Sequence, residues 1–150
     1  MAEIINQKNE RKSMSIQNQN EYLLLFRGND WYNALSPEQL QKAMTDFKAW
    51  FDRLTEEGKL KAAQPLVRTG KIVSGKHGRV VADGPFAESK EAIGGYFLLA
   101  VSSLDEAVAI AKTCPSLEYG TQVEVRPVAE DCPMAERARQ LMPEEQLATA

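Results

Sequence analysis

The sequence predicts an α+β domain in which two amphipathic helices lie on a β-sheet. Two observations carry this prediction. Short apolar runs bounded by turn residues are typical of buried strands, and two capped segments with 3.6-residue periodicity are typical of helices. The chain has 150 residues, which favours one domain with a hydrophobic core.

Composition and charge restrict the class of protein. Apolar residues make up 43% of the chain and charged residues 26%, as in ordinary globular domains. A net charge of -3 argues against direct nucleic-acid binding, which normally needs a basic surface. No apolar run approaches the ~20 residues of a membrane span, and the polar N-terminus lacks the apolar core of a secretory signal. We therefore expect a cytoplasmic protein that binds neither nucleic acid nor membrane.

Few residues are suited to metal or nucleophile chemistry. Cys114 and Cys132 are expected to be free thiols, because the chain has no export signal. Cys114 has no neighbouring histidine or helix N-terminus to activate it and is interpreted as a buried, inert thiol. The single histidine, His77, lies between glycines and is interpreted as an exposed hairpin tip. One histidine argues against a His-rich metal site or a Ser-His-Asp triad, and no cofactor is predicted.

The chain divides into three parts. Residues 1–19 are rich in Asn, Gln, Glu and Lys and predict a flexible tail. Residues 20–128 form the domain. Residues 129–150 form a C-terminal extension, whose amphipathic stretch Met134–Met142 is either a short docked helix or a frayed end.

The first helix has the clearest signals. It follows the buried strand "EYLLLF" (Glu21–Phe26). Ser36 is the expected N-cap, Pro37 suits the first helical position, Gln39 completes a capping box, and Gly58 suits the C-terminus. Its apolar stripe comprises Leu40, Ala43, Met44, Phe47, Phe51 and Leu54, with Trp50 at the edge.

Three β elements are predicted next. "KLKAAQPLV" predicts a strand that Pro65 places at a sheet edge or a bulge. "KIVSGKHGRVVA" predicts a β-hairpin around a Gly-rich turn, and "GGYFLLAV" predicts a central strand.

The second helix repeats the pattern of the first. Ser103 is its expected N-cap, Glu106 closes a capping box, and Pro115 prevents continuation beyond Cys114. Its apolar stripe comprises Leu104, Ala107, Val108 and Ala111. "TQVEVRPV" then predicts a strand with Val123 and Val125 on one face.

This order, without the hairpin, is the βαββαβ arrangement called ferredoxin-like. Two helices cover only one face of a four-stranded sheet, and the other face is partly apolar. A second copy is the simplest cover, so we expect a homodimer whose two sheets face each other.

The stretch "VVADGPFAESKEAIGGYFLLAV" is the candidate site. Asp83 either bonds to nearby backbone amides in the Asp83-Gly84-Pro85 turn or faces a ligand. Phe86 is either a core plug or the apolar wall of a pocket. Glu88 follows Phe86 by two residues and would face the same way in an extended segment. Lys90 and Glu91 are interpreted as a solvated charge run.

Three further positions adjoin this stretch or the last strand. Gly94-Gly95 indicates a close backbone approach or a bulge, since no helix follows it as in a phosphate loop. Tyr96 is either packed or directed at a pocket. Glu124 and Arg126 share one face of the last strand. If that face meets a dimer partner, the two side chains pair with their counterparts in the second copy. If it meets the cleft, Glu124 and Asp83 form a carboxylate pair in which one carboxyl group has a raised pKa.

The strings "DGPFAESKEAIGGYFLLAVSSLDEAVAIAKTCP" and "VEVRPV" resemble the YCII-related, or DGPF, family, and the resemblance runs from Glu21 to Val128. It implies a dimeric α/β barrel built on the ferredoxin-like fold, with a cleft in each subunit beside the motif loop.

The resemblance also limits the chemistry. Smaller relatives carry a His-Asp pair proposed to act in catalysis, and one branch removes chloride from a chlorinated aromatic substrate. In the comparable stretches "SPEQL" and "TCP", Gln39 stands at the histidine position and Cys114 at the aspartate position, so the dyad chemistry is not carried over. Members of the family are also associated with extracytoplasmic-function sigma factors.

Three functions follow from these observations. The first is a small-molecule-binding dimer with Asp83, Phe86, Glu88 and Tyr96 at the ligand, acting as a cofactor-free lyase, isomerase or hydrolase in which Asp83 and Glu124 are the candidate catalytic residues. The second is an accessory regulator that works through protein contacts, with a sigma factor as partner. The third is a member that keeps the fold and the dimer but has no site.

Overall fold

The structure is a computed structural model that describes residues 20–28, 30–86, 89 and 91–143. Its strands are β1 (Asn20–Arg27), β2 (Leu60–Pro65), β3 (Lys71–Ser74), β4 (Val80–Asp83), β5 (Ile93–Val101) and β6 (Gln122–Pro127). Its helices are α1 (Pro37–Glu56), α2 (Leu104–Ala111) and α3 (Pro133–Leu141). The predicted α+β class is confirmed. The predicted tail, residues 1–19, lies outside the described residues.

Four strands form one antiparallel sheet in the order β2-β5-β1-β6. As predicted, β5 is central and β2 is an edge strand, with Pro65 as its last residue. Strands β3 and β4 form a separate two-stranded sheet, which is the predicted hairpin. The hairpin is therefore an addition to the main sheet rather than part of it.

The N-terminal half of α1 confirms the predicted capping box. Ser36 Oγ accepts a hydrogen bond from the backbone N–H of Gln39 at 3.2 Å, and Gln39 Oε1 accepts one from the backbone N–H of Ser36 at 2.9 Å. Pro37 occupies the first turn, and Gly58 has a positive φ of 69° just after the helix. These local signals fix where α1 begins and ends.

The prediction that Trp50 lies at the edge of the apolar stripe is wrong. Trp50 is 2% exposed and lies at its centre with buried Ala43 and Leu54, whereas Met44 is 62% exposed. Phe26, Phe47 and Phe97 surround the indole, and the Phe97 ring stacks on it with centroids 5.1 Å apart. This cluster contains residues from β1, α1 and β5. The orientation of α1 on the sheet therefore depends on aromatic contacts between elements, which the spacing of apolar residues within α1 cannot predict.

Each tryptophan has a defined aromatic or polar partner. The indole Nε1–H of Trp50 donates a hydrogen bond of 2.8 Å to Thr113 Oγ1, which satisfies its polar group inside the core. Trp31, in a 3-10 turn before α1, is half-buried and stacks on Tyr119 with ring centroids 5.4 Å apart. The two indoles thus belong to different packing clusters.

Helix α2 departs from its prediction in its cap and its stripe. Ser103 Oγ accepts from the N–H of Glu106 as predicted, but the Glu106 carboxylate accepts from the backbone and hydroxyl of Ser102 instead of closing the box. These hydrogen bonds lower the pKa of Glu106. Ile110 is buried although the predicted stripe omitted it, and Leu104 is exposed.

The two faces of the main sheet differ in burial. The face under α1 and α2 carries buried residues from the central strands: Tyr22, Leu24, Phe97, Leu99 and Val101. Val123 and Val125 pack on the same core from β6, as predicted. The second face, here called the opposite face, carries Leu23, Leu25, Tyr96, Leu98 and Ala100, all half-buried. This face is apolar at its centre and less covered than the first.

Gly95 marks a close approach between β5 and β2. A Cβ atom at this position would lie 2.9 Å from the backbone oxygen of Gln64, so only glycine fits without a backbone shift. The pairing of β1 with β5 also shifts register between Phe26 and Arg27, opposite this point. Both readings of the glycine pair, a close approach and a bulge, are confirmed.

The described part of the C-terminal extension contains α3, and its residues 144–150 lie outside the described residues. The polar residues of α3 are exposed, as are Met134 and Leu141, and none of the residues of this helix is buried. Within the described part of the chain, no helix has the length and apolar character needed to cross a membrane.

Candidate functional site: the cleft between the hairpin and the DGPF loop

The β3–β4 hairpin carries its side chains in the open. All eight residues of the two strands are exposed, including Ile72, Val73, Val80 and Val81. The tip contains glycines with positive φ on either side of His77, whose own φ is 62°. His77 is exposed, which confirms its interpretation as a hairpin tip.

The loop after β4 folds back on the segment before β3. The backbone N–H of Gly84 donates a 3.1 Å hydrogen bond to Gly70 O. A Cβ on Gly84 would lie 2.6 Å from Ile72 Cδ1, and a Cβ on Gly70 would lie 3.2 Å from Gly84 O. The chain then turns through a cis Gly84-Pro85 peptide bond. The two segments therefore touch through their backbones.

A cleft of about 500 Å³ lies between these two segments, and we call it the loop cleft. Its walls are residues 68–71 and 83–86. Cavities that bind small molecules have volumes of roughly 300–1,000 Å³ and combine apolar walls with a few polar groups. The loop cleft has the size and the mixed lining of such a site.

Two of the predicted site residues line the loop cleft. Asp83 stands opposite Lys71 in the hairpin register, and the two side chains form an ion pair. The carboxylate is therefore held by a lysine rather than by the turn amides. Phe86 is 72% exposed, so it is a wall of the cleft and not a core plug. Glu88, the third residue predicted in this loop, lies outside the described residues, as does Lys90.

Arg68 is a cleft residue that the sequence analysis missed. It lines the loop cleft, is half-buried, and its Nε–H is buried with no hydrogen-bond partner among the described residues. Its sequence context, "LVRTGK", carries no motif. Arg68 is identified as a cleft residue only in the folded hairpin, where residues 83–86 form the opposite wall.

Tyr96 and Glu124 do not line the loop cleft with Asp83 and Phe86. Both lie on the opposite face, on either side of Leu25, which pairs with Tyr96 across β5 and with Glu124 across β6. The predicted ligand-facing residues thus fall in two places. One group lies at the base of the hairpin, and the other lies on the opposite face of the main sheet, flanking Leu25.

Glu124 is held by cations of its own chain. Arg27 donates to Glu124 Oε2 from Nη2 at 2.9 Å and from Nε at 3.3 Å, and Arg126 Nη1 lies 3.4 Å from Oε1. The hydrogen bond from Arg27 lowers the pKa of Glu124 and in turn raises the pKa of Arg27. The expectation of a raised pKa in an Asp83–Glu124 pair is wrong for Glu124, because each carboxylate is paired with a cation instead.

The two positions at which the family resemblance predicts the His-Asp pair have structural roles here. Gln39 belongs to the capping box of α1. Cys114 is 4% exposed, its sulfur lies 3.2 Å from Ser116 Oγ, and burial raises the pKa of its thiol. Both cysteines are free, as predicted, and Cys114 is buried. Neither position offers a group that exchanges protons at neutral pH.

Metal ligands are not clustered in the described part of the chain. Among residues 20–28, 30–86, 89 and 91–143, no group of three or more His, Cys, Asp or Glu side chains is placed to hold a metal ion. The loop cleft contributes one carboxylate, Asp83, which a lysine already neutralises.

The fold and the cleft define an α+β domain with a helix-covered antiparallel sheet and a site beside an added hairpin. The chain belongs to the YCII-related domain family, whose model matches residues 17–138. An uncharacterized protein of Rhizobium meliloti is 37% identical over 101 residues, which is 65% of this chain and 82% of that protein.

Two solved structures resemble the chain at low identity. A 5-chloro-2-hydroxyhydroquinone dehydrochlorinase from Burkholderia phenoliruptrix, in complex with 2,5-dihydroxybenzoquinone, is 16% identical with a TM-score of 0.39 and covers 74% of this chain and 95% of its own. A hydroxynitrile lyase from Passiflora edulis is 12% identical with a TM-score of 0.35 and covers 77% of this chain and 99% of its own. Because both TM-scores are below 0.5, neither match supports an inference about fold or chemistry.

Proposed function

We propose that this YCII-related protein binds a small molecule in the loop cleft. One observation carries the proposal: a cleft of about 500 Å³ is lined by an exposed aromatic ring, Phe86, and by charged groups, Arg68, Lys71 and Asp83. An apolar wall provides contact area, and a few polar groups provide orientation, as small-molecule sites require.

Any chemistry at this cleft is proposed to need no cofactor and to be of the lyase, isomerase or hydrolase type. Asp83 is the carboxylate in the described cleft walls, and Lys71 forms an ion pair with it. An ionised carboxylate acts as a general base when a substrate proton lies within hydrogen-bond reach. Glu124 is unsuited to the same step, because Arg27 and Arg126 both hold its carboxylate.

We propose that the chain is a ferredoxin-like subunit of a homodimeric α/β barrel. The strand order β2-β5-β1-β6, with α1 after the first strand and α2 after β5, supports this architecture. In this arrangement the half-buried apolar centre of the opposite face packs on the same face of a second copy. Tyr96 would then lie between the two sheets.

The binding proposal is tested by a metabolite screen with thermal shift and native mass spectrometry on wild type, Asp83→Asn and Phe86→Ser. We expect at least one compound to stabilise the wild type and to lose most of that effect in both variants. Asp46→Asn is the matched control, since it breaks another Lys–Asp pair at the surface, on α1 and away from the cleft. A set of ligands that binds wild type and both cleft variants equally well would refute the cleft as the site.

A second function, an accessory regulator, is favoured by the hairpin. Four aliphatic side chains are each at least half exposed on its two strands: Ile72, Val73, Val80 and Val81. Exposed apolar surface of this kind marks protein interaction sites. The family association makes an extracytoplasmic-function sigma factor the partner to test. Affinity capture from the native host with wild type and with Val81→Lys as bait decides this case, and recovery of the homodimer alone from wild type would exclude it.

A further inference from the structure

The loop cleft carries an excess of positive charge. Its walls contain two cations, Arg68 and Lys71, and one anion, Asp83, among the described residues. Lys71 and Asp83 neutralise each other through their ion pair across the hairpin. Arg68 forms no ion pair with any carboxylate in the described part of the chain, so its charge is the one left for a ligand.

Arg68 also has an unused hydrogen-bond donor. Its Nε–H is buried and has no partner among the described residues. A buried donor is normally satisfied by protein, water or ligand. The guanidinium group presents its donors in a planar fork that matches the two oxygens of a carboxylate or phosphate, which a lysine ammonium cannot do.

The opposite wall of the cleft favours a flat apolar body. Phe86 and Pro85 both line it, and the Phe86 ring is 72% exposed in the described structure. An aromatic ring that is mostly exposed beside a cleft gains contact area when a planar ligand stacks on it. The cationic and the apolar walls belong to the two chain segments that the Gly84–Gly70 hydrogen bond holds together.

We infer that the loop cleft selects organic oxyanions, with the carboxylate or phosphate of the ligand on Arg68 and its apolar body against Phe86. This inference rests on the proposed binding function and names the class of ligand. The net charge of the whole chain is -3, so a preference for anions would have to come from this local arrangement and not from the overall field.

The test uses matched pairs of compounds: benzoate with benzamide, and phenyl phosphate with phenol. Binding is followed by ligand-observed NMR and isothermal titration on wild type, Arg68→Gln, Arg68→Lys and Arg79→Gln. Arg79→Gln removes the same charge from an exposed hairpin residue that is not in the cleft walls. Circular dichroism and thermal melts verify that each variant folds.

We expect each anion to bind wild type at least about tenfold more tightly than its neutral partner, as one charge-assisted hydrogen bond would give. Arg68→Gln should abolish this preference, Arg68→Lys should keep part of it, and Arg79→Gln should keep all of it. A stronger response to benzoate or to phenyl phosphate tells which oxyanion the cleft prefers.

Three results would overturn the inference. Equal binding of neutral and anionic partners, unchanged in Arg68→Gln, refutes the ligand class but leaves the binding function standing. Equal loss of the preference in Arg68→Gln and Arg79→Gln indicates unspecific attraction to positive charge. Failure of all four compounds to bind wild type, together with a negative metabolite screen, removes the binding function as well.

Discussion

The main sheet and the β3–β4 hairpin contain similar aliphatic residues, which are buried under the helices in the main sheet and exposed in the hairpin. In β5, Val101 is buried under the helices, whereas Val81 in β4 is 62% exposed. A two-stranded hairpin is marginally stable in isolation. Its base is fastened by the Gly84–Gly70 hydrogen bond and the Lys71–Asp83 ion pair. The sheet therefore stabilises the fold, while the hairpin presents apolar surface to solvent.

The largest expected effect is in the aromatic cluster. Trp50→Ala should lower the free energy of unfolding by about 3–5 kcal/mol, because it leaves a large cavity between β1, α1 and β5 and removes the partner of Thr113. Urea denaturation measures the change. Met44→Ala on the exposed side of α1 is the control and should change stability by less than about 0.5 kcal/mol. Similar losses for the two variants would contradict the core assigned here.

The second-largest expected effect distinguishes between two surfaces, the opposite face and the hairpin, as the contact of the proposed dimer. Leu25→Lys should weaken the proposed dimer by about 100-fold, roughly 2.7 kcal/mol, because it places a charge at the centre of the apolar face. Val81→Lys should leave the dimer intact. Sedimentation equilibrium over a range of concentrations gives both values. Dissociation by Val81→Lys instead would move the interface to the hairpin.

A matched pair of substitutions tests the comparison itself. Val101→Thr puts a hydroxyl group into the core and should cost about 1–3 kcal/mol. Val81→Thr makes the same change on the hairpin and should stay within about 0.5 kcal/mol. Chemical denaturation of both variants over a range of protein concentrations measures this contrast. A loss at Val81 that grows with protein concentration would show that a second copy covers the hairpin.

The smallest effect is electrostatic and lies on the opposite face. Arg27 lowers the pKa of Glu124 below its ordinary value of 4.5, so the ionised carboxylate stabilises the folded state. This contribution is fully present above pH 4.5 and is lost as the pH falls through the lowered folded pKa. Glu124→Gln should therefore melt slightly below wild type at neutral pH, and the two melting temperatures should converge in acid. Melts over this pH range, with exposed Glu118→Gln as the control, check the sign, and a gap that widens in acid would contradict it.

The sequence predicted the parts of the fold that depend on neighbouring residues. The Ser36–Gln39 box, the hairpin glycines and the edge position of Pro65 are short-range features, and each is confirmed. The centre of the stripe on α1 was missed, because Phe26 and Phe97 come from distant strands and determine which side of the helix packs on the sheet.

The candidate site was predictable only in part, for the same reason. The DGPF loop located Asp83 and Phe86 at a cleft. Arg68 was not found, because its place in the cleft wall depends on the backbone contact between Gly70 and Gly84 at the base of the folded hairpin. Arg27 was missed as the partner of Glu124, since the register of β1 against β6 is a tertiary property.

The two tryptophans give this chain two built-in optical probes. Trp50 is enclosed and hydrogen-bonded to Thr113, so its fluorescence should be shifted to short wavelength and should follow the unfolding of the core. Trp31 is half-buried and stacks on Tyr119, near the start of α1, so its emission follows a different region. Trp31→Phe leaves a single reporter of the core. The unfolding of the core can then be followed without attaching a dye, and Trp50→Phe leaves Trp31 as the reporter of the other region.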